Sequence, residues 1–184
     1  MTADTTSPIS AERLLEVARR PDDILTIAFA GVIAQAERSG RRPWIRGLSD
    51  ARFKKLLNEY FYTQALTNES ISTARDMDEF EDLAGLLLEY RAEPSEPLAW
   101  LALAIASAAM GENHLWQDMG LPSRKVLSQL MTTCFPGLAA RNVGDMKWKK
   151  FFYRQLCERA NVPICKSPHC AECCDYHICF GPED

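Results

Sequence analysis

Five of the seven cysteines crowd into fifteen residues near the end of the chain: Cys165, Cys170, Cys173, Cys174 and Cys179. Four of them, Cys165, Cys170, Cys173 and Cys179, form C-x4-C-x2-C-x5-C. Thiolate sulfur is a soft donor that selects zinc, copper(I) and iron–sulfur clusters over magnesium or calcium. The two-residue step from Cys170 to Cys173 lets both sulfurs turn onto one centre. Zinc ribbons pair two such knuckles across a longer spacer. Here a single knuckle is flanked by lone cysteines, and the first three follow the C-x4-C-x2-C spacing of plant-type ferredoxins. The spacing favours an iron–sulfur-type cluster, with a structural zinc module as the alternative.

Other donors lie in the same loop: His169, Glu172, Cys174, Asp175 and His177. A histidine beside a cysteine ligand more often donates a hydrogen bond to sulfur than binds the metal. Cys174 directly follows Cys173, and adjacent side chains diverge, so it reads as a spare thiol. Cys134 and Cys157 fall in helical stretches, where core packing accounts for them. His114 reads as a helix-start residue. Phosphate loops, nucleophile elbows and paired zinc-site histidines are missing from the sequence. The expected site is therefore a binding site, and the expected protein is not an enzyme.

A cluster of this kind needs a body to hold it. The chain has 184 residues, 47% hydrophobic and 25% charged, the composition of one globular domain with a short appendage. The net charge of −4 argues against a nucleic-acid partner. The longest near-apolar run, Leu98 to Met110, has 13 residues, too few for the ~20 of a spanning helix. The first residues carry no secretory signal pattern. Odd-numbered thiols without a leader are expected in a reducing cytoplasm, where they serve metals better than disulfides.

Residues 1–160 read as helices, and residues 161–184 as a cysteine-rich cluster-binding tail. Ser10 and Asp22 or Asp23 are candidate N-caps for the first two helices. Phe53, Leu56, Leu57, Tyr60 and Phe61 recur at helical spacing, as do Met77, Phe80, Leu83, Ala84, Leu87 and Leu88. The Ala-rich run after Pro97 is apolar on all sides and reads as a buried central helix. Further helices are expected over 114–119, 123–134 and 145–160, and helix logic stops near Asn161. Sustained alternation of a strand type is nowhere found. The expected fold is all-α, an irregular multi-helix bundle with a short metal-binding tail.

Charge is segregated. Residues 76–96 hold eight acids against Arg91 alone, while residues 141–159 hold six bases against Asp145 and Glu158. Lys147, Lys150 and Arg154 line one side of the helix entering the cysteine tail, and Trp148, Phe152 and Leu156 line the side expected to dock on the core. The basic stripe is either a solvated face paired with the acidic helix or a patch that attracts an anion or an acidic partner.

Taken together, several stretches resemble the NifQ family of nitrogen-fixation proteins. They are His114-Leu-Trp-Gln-Asp-Met-Gly-Leu121, Arg124, Phe135-Pro136, Asn142, DMKWKKFFYRQLC from Asp145 to Cys157, the four-cysteine motif, and Phe180-Gly-Pro-Glu183. The likeness covers roughly the last 70 residues, with DEFEDLAGLLLEY as a weaker echo. Cys174 departs from the family motif, which does not require it. The resemblance implies a cytoplasmic molybdenum carrier that holds a molybdenum–iron–sulfur cluster, built on an iron–sulfur cluster precursor. It implies donation of molybdenum to the nitrogenase iron–molybdenum cofactor, with NifH and the NifEN scaffold as recipients and molybdate as the source. Carried over, Cys165, Cys170, Cys173 and Cys179 become the cluster ligands. The ligand to molybdenum itself stays open among His169, Cys174, Asp175, His177 and an external group.

Overall fold

The computed structural model describes residues 9–63, 66, 77–162 and 176–183. Ten helices occur among them: α1 (Ala11–Glu16), α2 (Ile24–Arg38), α3 (Asp50–Tyr60), α4 (Met77–Glu89), α5 (Glu96–Ala109), α6 (Leu115–Asp118), α7 (Arg124–Cys134), α8 (Pro136–Ala139), α9 (Trp148–Arg159) and α10 (Tyr176–Phe180). The described residues contain no strand, and a single isolated bridge joins Ala18 to Phe61. The all-α expectation holds.

Helices start where a short polar side chain can take up an orphan amide. Ser10 Oγ accepts from Arg13 N at 3.3 Å, Asp23 Oδ2 from Thr26 N at 3.1 Å, and Ser49 Oγ from Arg52 N at 3.4 Å. Ser123 Oγ does the same for Val126 N at 3.4 Å. Pro97 sits in the first turn of α5, where its missing N–H costs nothing.

The expected central helix is α5. Leu98, Trp100, Leu101, Ala102, Ala104 and Ile105 are buried, and α5 packs against α2, α4 and α6. Its one buried hydroxyl is satisfied on both sides. Ser107 Oγ donates to Leu103 O at 2.7 Å and accepts from Arg46 N at 2.8 Å. The apolar face of α4 supplies Phe80, Leu83, Ala84, Leu86 and Leu87 to the same core.

Between α2 and the end of α6 the backbones touch. A β-carbon on Gly31 would lie 2.5 Å from the Met119 carbonyl oxygen, and one on Gly120 would lie 2.5 Å from the Gly31 carbonyl oxygen. Gly120 also has φ +62°, a left-handed conformation that suits glycine. This contact fixes the 114–121 stretch on the core.

Three features differ from the expectation. The last long helix begins at Trp148 instead of 145, because Asp145 is left-handed (φ +53°) and Asn142 brackets the Met146 backbone. Asn142 Oδ1 accepts from Met146 N at 2.8 Å, and its Nδ2 donates to Met146 O at 2.9 Å. Helix α8, opened by Pro136, and helix α10, inside the expected tail, were not anticipated. Four and five residues are too few to display a helical period. Trp148 and Phe152 are buried and Leu156 packs on the core as expected, but Phe151 and Gln155 are buried as well.

Candidate metal centre

Of the four motif cysteines, Cys179 lies among the described residues; Cys165, Cys170 and Cys173 lie outside them, as do His169, Glu172, Cys174 and Asp175. Cys179 sits on α10, half-buried against the core. Its carbonyl accepts a 2.8 Å hydrogen bond from the amide of Lys147, the residue that opens α9. The next residue, Phe180, packs over Gly144 and stacks on Tyr176 with ring centroids 4.5 Å apart. His177 is exposed. Two positions apart on a helix means ~200° of rotation, so His177 and Cys179 project to different sides.

Four residues on, the chain is held again. The Glu183 side chain is 3% exposed, with Oε1 3.8 Å from His114 Nδ1 and Oε2 3.5 Å from Arg124 Nε. Both contacts are ionic in range, longer than hydrogen bonds. Arg124 is itself locked by Asp145: Nη1 donates to Oδ2 at 3.1 Å, and Nη2 donates to Oδ1 at 3.0 Å and to the carbonyl at 2.9 Å. His114 caps α6 as expected, and its amide donates to Gln117 Oε1 at 3.1 Å. Its ring facing Glu183 is the part that sequence reasoning missed. The available signal was that His114, Arg124, Asp145 and Glu183 all belong to the stretches that carry the family likeness.

A second polar joint fixes α9 on α6. Asp118 is 4% exposed and accepts from Asn113 N and Nδ2, each at 3.0 Å. Lys149 Nζ makes an ion pair with Asp118 and donates to the Gly111 carbonyl at 2.7 Å. Gly111 leaves the room: a β-carbon there would lie 2.5 Å from the Asp118 carboxyl. Burial lowers the pKa of Arg41, while the charge of Asp118 pushes it back up.

The basic residues of α9 divide between these roles. Arg159, which is not part of the stripe, pairs with Glu89 of the acidic helix. Arg154 pairs with Glu158 at 2.8 Å, and Lys150 is exposed. Beside α10 opens a cleft of about 480 Å³ lined by Arg141, Asn142, Phe151, Arg154, Glu158 and Phe180. Of the two helical cysteines, Cys134 is buried in the core as expected, whereas Cys157 is only partly buried and lies outside it. Burial pushes Cys134 up to about 11, with a smaller push from Asp23. Desolvation, then Glu158, raises Cys157. A raised thiol pKa makes a poorer metal ligand at neutral pH.

No helix among the described residues is long and apolar enough to cross a membrane. No solved structure matches the chain. Known sequences do. The protein named Protein NifQ of Azotobacter vinelandii is 38% identical over 167 residues, 82% of this chain and 86% of that protein. Protein NifQ of Rhodobacter capsulatus is 47% identical over 98 residues, 53% of this chain and 54% of that protein. Protein NifQ of Klebsiella pneumoniae is 43% identical over 105 residues, 56% of this chain and 60% of that protein. The NifQ family model matches residues 28–181, a span that takes in most of the core, both polar joints except Glu183, and all four motif cysteines. The chain belongs to the NifQ family.

Proposed function

We propose that this protein is a molybdenum carrier, holding a molybdenum–iron–sulfur cluster as cargo and giving up molybdenum for assembly of the nitrogenase iron–molybdenum cofactor. Membership of the NifQ family supports a nitrogen-fixation role. The observation that carries the finer reading is the C-x4-C-x2-C-x5-C motif inside the matched span. Four thiolates from Cys165, Cys170, Cys173 and Cys179 suit the iron atoms of a cluster. Molybdenum at a cluster corner is then left to exchangeable oxygen or nitrogen ligands, which is what a donor requires.

The helical body carries the site and performs no catalysis in this reading. Acceptors are the nitrogenase assembly proteins NifH and the NifEN scaffold, and molybdate is the original source. Lys147, Lys150 and Arg154 stand where the body meets the motif, suited to attract molybdate or an acidic acceptor. The test is transfer. Protein loaded anaerobically with iron, sulfide and molybdenum, supplied as the sole molybdenum source to an assembly mixture, should support cofactor formation. Failure of the loaded protein, in a mixture that succeeds with free molybdate, would overturn the reading.

A further inference from the structure

Four residues from the stretches that carry the family likeness, His114, Arg124, Asp145 and Glu183, are spread over 70 positions, yet in the folded chain they meet at one place. That place is the end of the cysteine motif. We propose that Glu183 is a positioning residue for Cys179: clasped by His114 and Arg124, it pins the last ligand of the motif to the helical body. The proposal rests on the reading of Cys179 as a cluster ligand.

The burial decides the matter against an ordinary surface bridge. Glutamate is almost never fully buried unless paired. Here a carboxylate four residues beyond Cys179 is 97% removed from water, by the 3% exposure of its side chain. It faces a guanidinium that two carboxylate oxygens and a carbonyl of Asp145 already hold in place. Arg124 is thus held independently of Glu183, so the contact with Glu183 does not have to order it.

The clasp works with two nearer attachments, the Lys147 amide on the Cys179 carbonyl and Phe180 over Gly144. Four residues span at most ~14 Å, so a fixed Glu183 restricts where the Cys179 sulfur can go. Lys147 belongs to α9, and α9 is fastened through Lys149 to Asp118 on α6. His114 opens that same α6. Clasp and hydrogen bond therefore tie the motif's end to a single rigid unit.

The test uses the full chain, metal-free and loaded. Glu183→Gln keeps the shape and removes the charge. In metal-free protein, alkylation of Cys179 followed by peptide mass spectrometry should accelerate about tenfold or more, with Cys134 and Cys157 unchanged. In loaded protein the electron paramagnetic resonance spectrum should shift and iron loss to a chelator should accelerate by a similar factor. Glu183→Asp, which keeps the charge, should fall between the two. His114→Asn preserves a good α6 cap and should move the same readouts in the same direction by less. It serves as the second variant if Glu183→Gln lowers the melting temperature of the body. Wild-type alkylation, or faster alkylation with an unchanged spectrum and iron loss, overturns the proposal while leaving the carrier reading intact. A wild-type protein that takes up neither iron nor molybdenum sinks the carrier reading and the ligand role with it.

Discussion

Removing the Lys149 charge should cost this fold more than removing any other lysine on α9. In Lys149→Met the stem still packs, but Asp118 is left as a buried anion without its cation. The Asp118 side chain is 6% exposed and that of Lys149 is 18% exposed, so solvent screens the pair little. Breaking a buried pair by deleting one partner costs roughly 3–5 kcal/mol. Asn113 still donates twice to Asp118, which places the expected loss near the lower end, about 3 kcal/mol. For a chain of this length that is a fall of roughly 6–12 °C in Tm. Asp118→Asn, which leaves Lys149 on the Gly111 carbonyl, should cost less, about 1–2 kcal/mol. The double variant should be more stable than the sum of the two losses implies, with a coupling of roughly 2 kcal/mol. Urea unfolding of the reduced, metal-free chain at neutral pH measures all four species. A Lys149→Met loss below about 1 kcal/mol, or strict additivity, would refute the claim that this pair joins α6 to α9.

Gly31→Ala pushes a methyl group into the Met119 and Gly120 carbonyl oxygens and should destabilise by about 1–3 kcal/mol, read by the same urea assay. Replacing Lys147, Lys150 and Arg154 together by Gln should slow molybdenum loading or transfer at low salt and matter little at high salt, because exposed charges are screened within ~8 Å at physiological ionic strength. Equal rates at low salt would make the stripe a solvated face only. Cys134 has its pKa raised by burial from an ordinary value near 9 to about 11, so the buried neutral thiol adds stability below pH 9 that is lost as pH climbs toward 11. Between pH 8 and 10 wild type should lose roughly 1–1.5 kcal/mol that Cys134→Ala does not lose, and a Cys134→Ala variant with the same slope would contradict this placement.

Local rules reached most of the helical body. Ser10, Asp23, Ser49 and Ser123 announce helix starts because a cap is made with an amide only three residues away. The burial of α5 was legible because an element apolar on every side has nowhere else to go. The four-cysteine spacing was legible for the same local reason. What escaped was long-range. No pattern near Glu183 signals that it will be buried against residues 59 and 69 positions earlier. The late start of α9 depends on a left-handed Asp145, which Arg124 holds from 21 residues away. Phe151 looks like a surface position when Trp148 and Phe152 define the docked side. It is buried nonetheless, edge-to-face with Trp148 at 5.8 Å between ring centroids, and with Phe180 it lines the cleft beside α10. Within helix α10, Tyr176 and Phe180 are one turn apart and stacked, a local contact too short to show a helical period in the sequence.

The central claim is that Cys165, Cys170, Cys173 and Cys179 hold an iron- and molybdenum-containing cluster. Iron, molybdenum and zinc per chain, measured on anaerobically isolated protein and its seven single-cysteine variants, tests it most directly. Wild type should be brown and carry both iron and molybdenum. Serine at any of the four positions replaces a soft thiolate with a hard, mostly protonated hydroxyl and should strip most of that metal. Alanine at Cys134, Cys157 or Cys174 should leave it near the wild-type level. A colourless, zinc-loaded wild type would contradict the account, and so would metal loss in the Cys174 variant with retention in any one of the four.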